Sequence, residues 1–158
     1  MEKDIAKSIE IYKEQLKNGN IRQAYVVLTK YIAELKSKFP NEYKTGNISF
    51  GYLDFTYFSF FNDYLRERKL RFGIILNHKE MQFELWLMDQ NATVQEKYWL
   101  LFKESEWNNG MDKMPTYSIL ELCLESNIDF NNKEEVTAHI IDRAIKRANE
   151  IQNFLENS

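Results

Sequence analysis

Apolar and polar positions along this chain follow two rhythms, and an element ends where the rhythm changes. Residues 4 to 18 put Ile5, Ile9, Tyr12 and Leu16 on one helical face, with Asp4 as cap. "KNGN" stops that helix, Gly19 suiting a left-handed position after its end. Asn20 with Gln23 resembles a capping box for a second helix. Its stripe is Ile21, Ala24, Tyr25, Leu28, Tyr31 or Ile32, and Leu35. Pro40 closes it, because the residue before a proline disfavours the helical region. An antiparallel helical hairpin over residues 1–39 is expected. Residues 41 to 51 read as a loop with a short strand near Ile48. In "YLDFTYFSFFNDYLRERKL", Phe58, Phe61 and Leu65 recur at spacings of three and four, which predicts a helix from about 56 to 68.

The period then becomes two. Residues 70 to 77 and 80 to 88 read as a β-hairpin around His78-Lys79. Setting Asn77 opposite Glu80 makes Leu76 face Met81, Ile74 face Phe83 and Phe72 face Leu85, so six apolar side chains share one face. His-Lys is a poor two-residue turn, since neither residue favours positive φ, and a longer loop is compatible with the pattern. Thr93 to Glu96 has the form of a capping box for a helix to about Glu104, with Val94, Tyr98, Leu101 and Phe102 inward. Residues 116 to 125 read as a strand, with Leu120, Leu122 and Leu124 on one face and Tyr117, Ile119, Glu121 and Cys123 on the other. Asn132 caps a last helix to about Leu155, with its stripe at Val136, Ile140, Ile141, Ala144, Ala148, Ile151 and Leu155. These elements predict an α+β fold. A small, mostly antiparallel sheet (hairpin 70–88 plus strand 116–125) is packed by the N-terminal helical hairpin and the long C-terminal helix. Residues 1–158 are expected to form one domain, with an α+β body from 46 to 158.

Composition narrows the function. A chain of 158 residues can bury about 70% of its unfolded surface without a metal or disulfide. Aromatics reach 15%, enough for a core of large rings and one exposed patch besides. With 21 basic and 24 acidic residues the formal charge is −3, which gives no long-range pull toward nucleic acid or anionic lipid. The one cysteine, Cys123, excludes an intrachain disulfide and suits a reducing cytosol. The first residues carry no apolar signal core, and no apolar run approaches the roughly 18 residues of a membrane span. A cytoplasmic protein without a membrane partner is expected. Abundant Lys, Asn and Ile suggest an AT-rich bacterial genome.

Familiar chemistry is mostly excluded. Five glycines supply no phosphate-binding loop. Two histidines, His78 and His139, and one thiol cannot make a four-ligand zinc site. His78, at a hairpin tip, is expected in solvent, and His139 at the boundary of a helix face. Cys123, in a strand, is expected to be buried as a small hydrophobe rather than to act as a nucleophile. Asp54 followed by Glu84-Leu85-Trp86 imitates a magnesium-dependent nuclease motif, but tryptophan stands where a lysine would activate water. Phe55, Tyr57, Phe58, Phe60 and Phe61 followed by Arg66, Arg68, Lys69 and Arg71 could clamp a single strand. The acidic balance favours rings packed on two sides, with basic residues at a helix end.

The face opposite the hairpin's apolar side remains. In the register above, Arg71 lies opposite Trp86 and diagonal to Glu84, and Gly73 leaves room above the backbone. A guanidinium can lie over an indole while its fork reaches a carboxylate. If strand 116–125 pairs alongside, Tyr117 and Glu121 join that face, with Gln82 at its edge. The ligand-binding candidates are therefore Arg71, Glu84, Trp86, Tyr117 and Glu121. No catalytic residue, metal ligand or cofactor is assigned. The simpler alternative is a solvated sheet face of ordinary cross-strand pairs.

The run "FTYFSFFNDYLRERKLRFGIILNHKEMQFELWLMDQNATVQEKYW", with "TYSILEL" beyond it, resembles a family of small bacterial proteins classed only as a domain of unknown function. The likeness runs from about Gly46 to the end and is most specific between Leu70 and Gln95. It implies a stand-alone bacterial cytosolic protein and brings no activity or site residues. A shorter likeness, between Leu76 and Trp86, is to uncharacterised domains found beside nuclease-like proteins. Two expectations follow. The first is a non-enzymatic module that binds a small molecule or protein on the outer sheet face. The second is a metal-dependent enzyme or nucleic-acid-processing domain using Glu84 and Glu121.

Overall fold

A computed structural model describes residues 4–108 and 110–158. Residues 1–3 of the expected helical hairpin and Asn109 lie outside the described residues. The described residues form α1 (Ile5–Asn18), α2 (Ile21–Ser37), β1 (Lys44–Thr45), β2 (Phe55–Phe61), α3 (Asp63–Glu67), β3 (Leu70–Asn77), β4 (Gln82–Asp89), α4 (Ala92–Phe102), β5 (Leu120–Glu125) and α5 (Lys133–Glu156). The strands make one antiparallel sheet in the order β1-β2-β3-β4-β5. The fold is α+β, as the patterning predicts.

The helix expected over 56–68 is a strand followed by one helical turn. "FTYFSFF" alternates in burial along β2, with Thr56, Phe58 and Phe60 inward. Both faces of β2 are apolar, so the sequence hides the period of two. Phe58 and Phe60 pack in the main core, Phe60 stacking on Phe72 at 5.4 Å and tilting against Phe39 at 4.5 Å. Phe55 and Tyr57 face the other way. Asn62 then ends the strand and caps α3, accepting from the Leu65 N–H at 3.0 Å.

The hairpin keeps its predicted faces but slips by two residues. Asn77 pairs with Gln82, Leu76 with Phe83, Ile74 with Leu85 and Phe72 with Leu87. A slip of two preserves which side each residue faces, whereas a slip of one would invert it. The loop is His78–Met81, with Met81 at φ 48° and exposed rather than in the core. Gly73 therefore lies opposite Trp86, and Arg71 opposite Met88.

The main core lies on one face of the sheet, where α2, α4 and α5 meet it. Ile140, Ala144, Ala148 and Ile151 of α5 are buried against Phe72, Leu85 and Leu120. Burial of this apolar area, at about 25 cal/mol per Å², drives the association of helix and sheet. Tyr31 and Thr137 share a buried hydrogen bond of 2.9 Å that ties α2 to α5. Burial raises the Tyr31 phenol's pKa, with the Thr137 bond opposing.

Several local expectations are corrected. α1 buries none of its residues: Ile5, Ile9, Tyr12 and Leu16 are all exposed, so the stripe that predicts a packed hairpin is uncovered. Gly19 is extended rather than left-handed, and Asn20 makes no side-chain cap bond. Asn91, not Thr93, caps α4, which ends at Phe102. Gln95 rather than Leu101 points inward. Asn132 precedes α5 without a cap bond. The strand expected from residue 116 begins at Leu120, and Ile119 joins the main core instead of the outer face. Ser49 bridges Tyr57 near the short strand expected at Ile48. Among the described residues, no helix is long and apolar enough to cross a membrane.

Candidate functional site

The other face of the sheet carries a second, smaller apolar cluster. Ile75, Trp86 and Met88 form its centre, and Phe55 and Tyr57 close on it. Phe55 meets the Trp86 indole edge-on at 5.0 Å. Trp86 is 4% exposed, so little more than one edge of its ring reaches solvent. The room that Gly73 leaves is filled by this protein itself. A Cβ there would sit 2.6 Å from the Met88 methyl carbon.

Glu84 is 7% exposed and fully engaged. Its Oε1 accepts from Trp86 Nε1 at 2.8 Å, and its Oε2 from Asn77 Nδ2 at 3.0 Å and Gln82 Nε2 at 2.6 Å. Three donors on two oxygens satisfy a buried carboxylate without a cation. The Arg71–Glu84 pair expected from the shorter register does not form. Glu121 reaches the same face because it pairs in regular register directly opposite Trp86. Its Oε2 accepts from Ser118 Oγ at 2.6 Å. Burial raises its pKa, the Ser118 bond opposes, and the nearby Glu84 charge adds to the rise. Among the described residues, no group of three or more His, Cys, Asp or Glu is placed to hold a metal ion.

Beside this cluster lies a recess of about 420 Å³, within the range of small-ligand sites. Tyr57, Arg71, Trp86 and Met88 line it from the strands. The loop before β2 adds Tyr52 and Asp54, and the loop before β5 adds Thr116 and Tyr117. Asp89 lines it from the end of β4. The candidates Arg71, Trp86 and Tyr117 are thus brought together, while Glu84 and Glu121 lie outside the lining. Tyr117 is 68% exposed and free to meet an incoming group.

Both loops are pinned. Asp54 Oδ1 accepts from the Tyr52 and Phe55 N–H groups at 2.8 and 2.7 Å, and these bonds lower its pKa. His78 is half-buried rather than in solvent, a consequence of the four-residue loop folding over the start of β2. Its Nε2 lies 2.8 Å from Thr56 Oγ1, and that hydroxyl lies 2.8 Å from the Phe50 carbonyl. The hydroxyl's one proton goes to the carbonyl, so Nε2–H donates to the hydroxyl. Burial lowers the His78 pKa, with the Asp54 charge opposing. On the other side, Gln95 Nε2 donates to the Pro115 and Ser118 carbonyls at 2.9 and 3.0 Å. This buried amide on α4 anchors the segment that presents Tyr117.

Arg71 is the unusual member. Its Nε is buried without a hydrogen-bond partner, and among the described residues the guanidinium makes no hydrogen bond or ion pair. The Asp89 side chain also makes no hydrogen bond to another residue among those described. Burial raises its pKa, opposed first by its own backbone N–H and then by the Arg71 charge. Tyr57 and Asp89 were outside the expected site. Alternation in "FTYFSFF" could have found Tyr57, and the corrected register brings Asp89 opposite Leu70, beside Arg71.

A larger groove of about 880 Å³ runs between β5 and the end of α5, past Trp107, Cys123, Arg147 and Glu150. Cys123 is exposed there, not buried, because β5 is the edge strand. Arg147 and Glu150 already pair at 3.0 Å. The smaller recess, with its unpaired cation, is the better candidate. The aromatics proposed as a nucleic-acid clamp divide between the two faces, and Arg68 lies over Tyr64 at 3.6 Å.

No curated protein and no solved structure matches the chain. A family model described as "Domain of unknown function (DUF7000)" matches residues 5–155, nearly the whole length, and the chain belongs to that family.

Proposed function

We propose that the protein is a non-enzymatic binding module that takes a small molecule, or a side chain of a partner protein, in the recess beside Trp86. The observation that supports this reading is the Arg71 guanidinium, half-buried and unpaired at a concave, aromatic-lined surface. A buried charged donor without an acceptor is costly, and a ligand's acceptor removes that cost. Tyr57 and Tyr117 supply flat apolar contact, and the anchors at Gln95 and His78 hold the walls before a ligand arrives. The metal-dependent alternative on Glu84 and Glu121 lacks comparable support, since both Glu84 oxygens are taken by protein donors. A bacterial cytosol is the proposed setting, on the sole, exposed thiol and the Lys-, Asn- and Ile-rich composition.

The test is a thermal-shift screen of organic acids, amino acids, nucleotides, magnesium and manganese, followed by NMR mapping of hits. A hit should raise the melting temperature, move the Trp86 indole N–H and Tyr117 signals, and lose its effect in Arg71→Met. Hits that map elsewhere and ignore Arg71 would refute the assignment. Stabilisation by metal, lost in Glu121→Gln, would favour the enzyme reading instead.

A further inference from the structure

The charges around the recess are mixed in a way that narrows what can enter. One guanidinium, Arg71, stands with two carboxylates, Asp54 and Asp89, in the same lining. A simple anion would meet Arg71 but be repelled by both aspartates. A simple cation would satisfy an aspartate and leave Arg71 unpaired. Only a molecule carrying both signs close together relieves both problems. Asp54 already accepts the N–H groups of two other residues through Oδ1, whereas the Asp89 carboxylate accepts from no other residue, so Asp89 is the freer acceptor. Arg71 is the donor without a partner. Tyr57, the edge of Trp86 and the exposed ring of Tyr117 share this lining. Flat rings give a planar apolar group its best contact, and their faces also attract an ammonium.

Building on the reading of this recess as a ligand site, we propose that it binds a zwitterion of the α-amino-acid type with a flat side chain. Its carboxylate is held by Arg71, its ammonium by Asp89, and its side chain lies against Tyr57 and Tyr117. The carboxylate and ammonium of such a molecule sit on one carbon, which suits a cation and an anion that lie near each other without pairing directly. A free small molecule and an exposed chain terminus differ here, because a terminus offers only one of the two charges.

The test is an NMR titration of the whole protein with L-phenylalanine, L-tyrosine and L-tryptophan. 3-Phenylpropionate and 2-phenylethylamine serve as the carboxylate-only and amine-only halves. At least one amino acid should move the Trp86 indole N–H and bind at least tenfold tighter than either half. Arg71→Met should weaken it to the level of 2-phenylethylamine and leave that amine's binding unchanged. Asp89→Asn should weaken it to the level of 3-phenylpropionate. Both side chains lie outside the buried core, and an unchanged spread of amide signals checks that each variant is folded. Equal binding of an amino acid and 3-phenylpropionate would overturn the zwitterion while leaving the recess as a ligand site. If no probe moves the Trp86 and Tyr117 signals, the zwitterion is overturned, and the wider thermal-shift screen decides separately whether the recess takes a ligand.

Discussion

Trp86→Ala measures how firmly the outer cluster is closed. The indole is 4% exposed, packs on Ile75 and Met88, and meets Phe55 at 5.0 Å. A tryptophan side chain buries about 200 Å², which at about 25 cal/mol per Å² corresponds to about 5 kcal/mol. Collapse of Phe55 and its loop into the space recovers part of this, as the usual range of about 3–5 kcal/mol for such truncations implies. The Glu84 carboxylate also loses one of its three donors. A loss of about 4 kcal/mol is expected. Trp86→Phe keeps most of the ring and removes only the N–H, so about 1–2 kcal/mol is expected. Urea unfolding followed by far-UV circular dichroism reads both. With a slope of about 2 kcal/mol per M, the midpoint should fall by about 2 M for alanine and by less than about 1 M for phenylalanine. A fall below about 0.5 M for alanine would refute the reasoning, because the indole would then be uncovered in solution.

Three further outcomes follow. Arg71→Met removes an unpaired, half-buried charge and should leave the urea midpoint unchanged or raise it by up to about 1 kcal/mol equivalent. A clear loss would mean that Arg71 has a structural partner after all. Gln95→Ala removes the buried donor to the Pro115 and Ser118 carbonyls and should cost about 1–3 kcal/mol, with faster amide hydrogen exchange between residues 115 and 119; unchanged exchange there would count against the anchor. His78 titrates below its ordinary value of 6.5 because burial disfavours its charged form. The unfolded chain therefore holds more protons between the depressed pKa and 6.5, and stability falls as pH drops through that window. An NMR titration should find the depressed midpoint, and His78→Gln should flatten the fall in urea midpoint between pH 7.5 and 5.5. Identical slopes in the two proteins would contradict it.

What was legible in the sequence was legible where one face is apolar and the other polar. The stripe of α5 satisfies that condition and is found where the spacing puts it. β2 does not: Phe58 and Phe60 fill the main core while Phe55 and Tyr57 cover Trp86, so alternation is invisible and helical spacing fits by accident. The hairpin faces were readable because a slip of two leaves them unchanged, but the pairing was not. Met81 adopts a left-handed conformation that its side chain does not advertise, and this lengthens the loop. That error set Arg71 directly opposite Trp86, where the chain pairs it with Met88, and hid its neighbour Asp89. Arg71, Trp86 and Tyr117 still converge, because a shared face survives the slip. Glu84 was correctly placed on the face. Its role differs because Asn77 and Gln82, which flank the loop, close on it only in the longer register.

The order of the strands has a kinetic consequence. Because β1 to β5 lie side by side in chain order, each strand pairs with the one just before it. Such local pairing lowers the average sequence separation of contacts and speeds folding. The steps are unequal. β3 and β4 close a loop of four residues, 78–81, whereas β5 returns only after the thirty residues 90–119. Loop-closure entropy makes the longer return costlier by roughly 2 kcal/mol. The three strands β2 to β4 are therefore expected to assemble first, while β5 with Glu121 and Cys123 zips on late. Tyr117, carried on the same returning segment, makes the recess one of the last parts of the molecule to take shape.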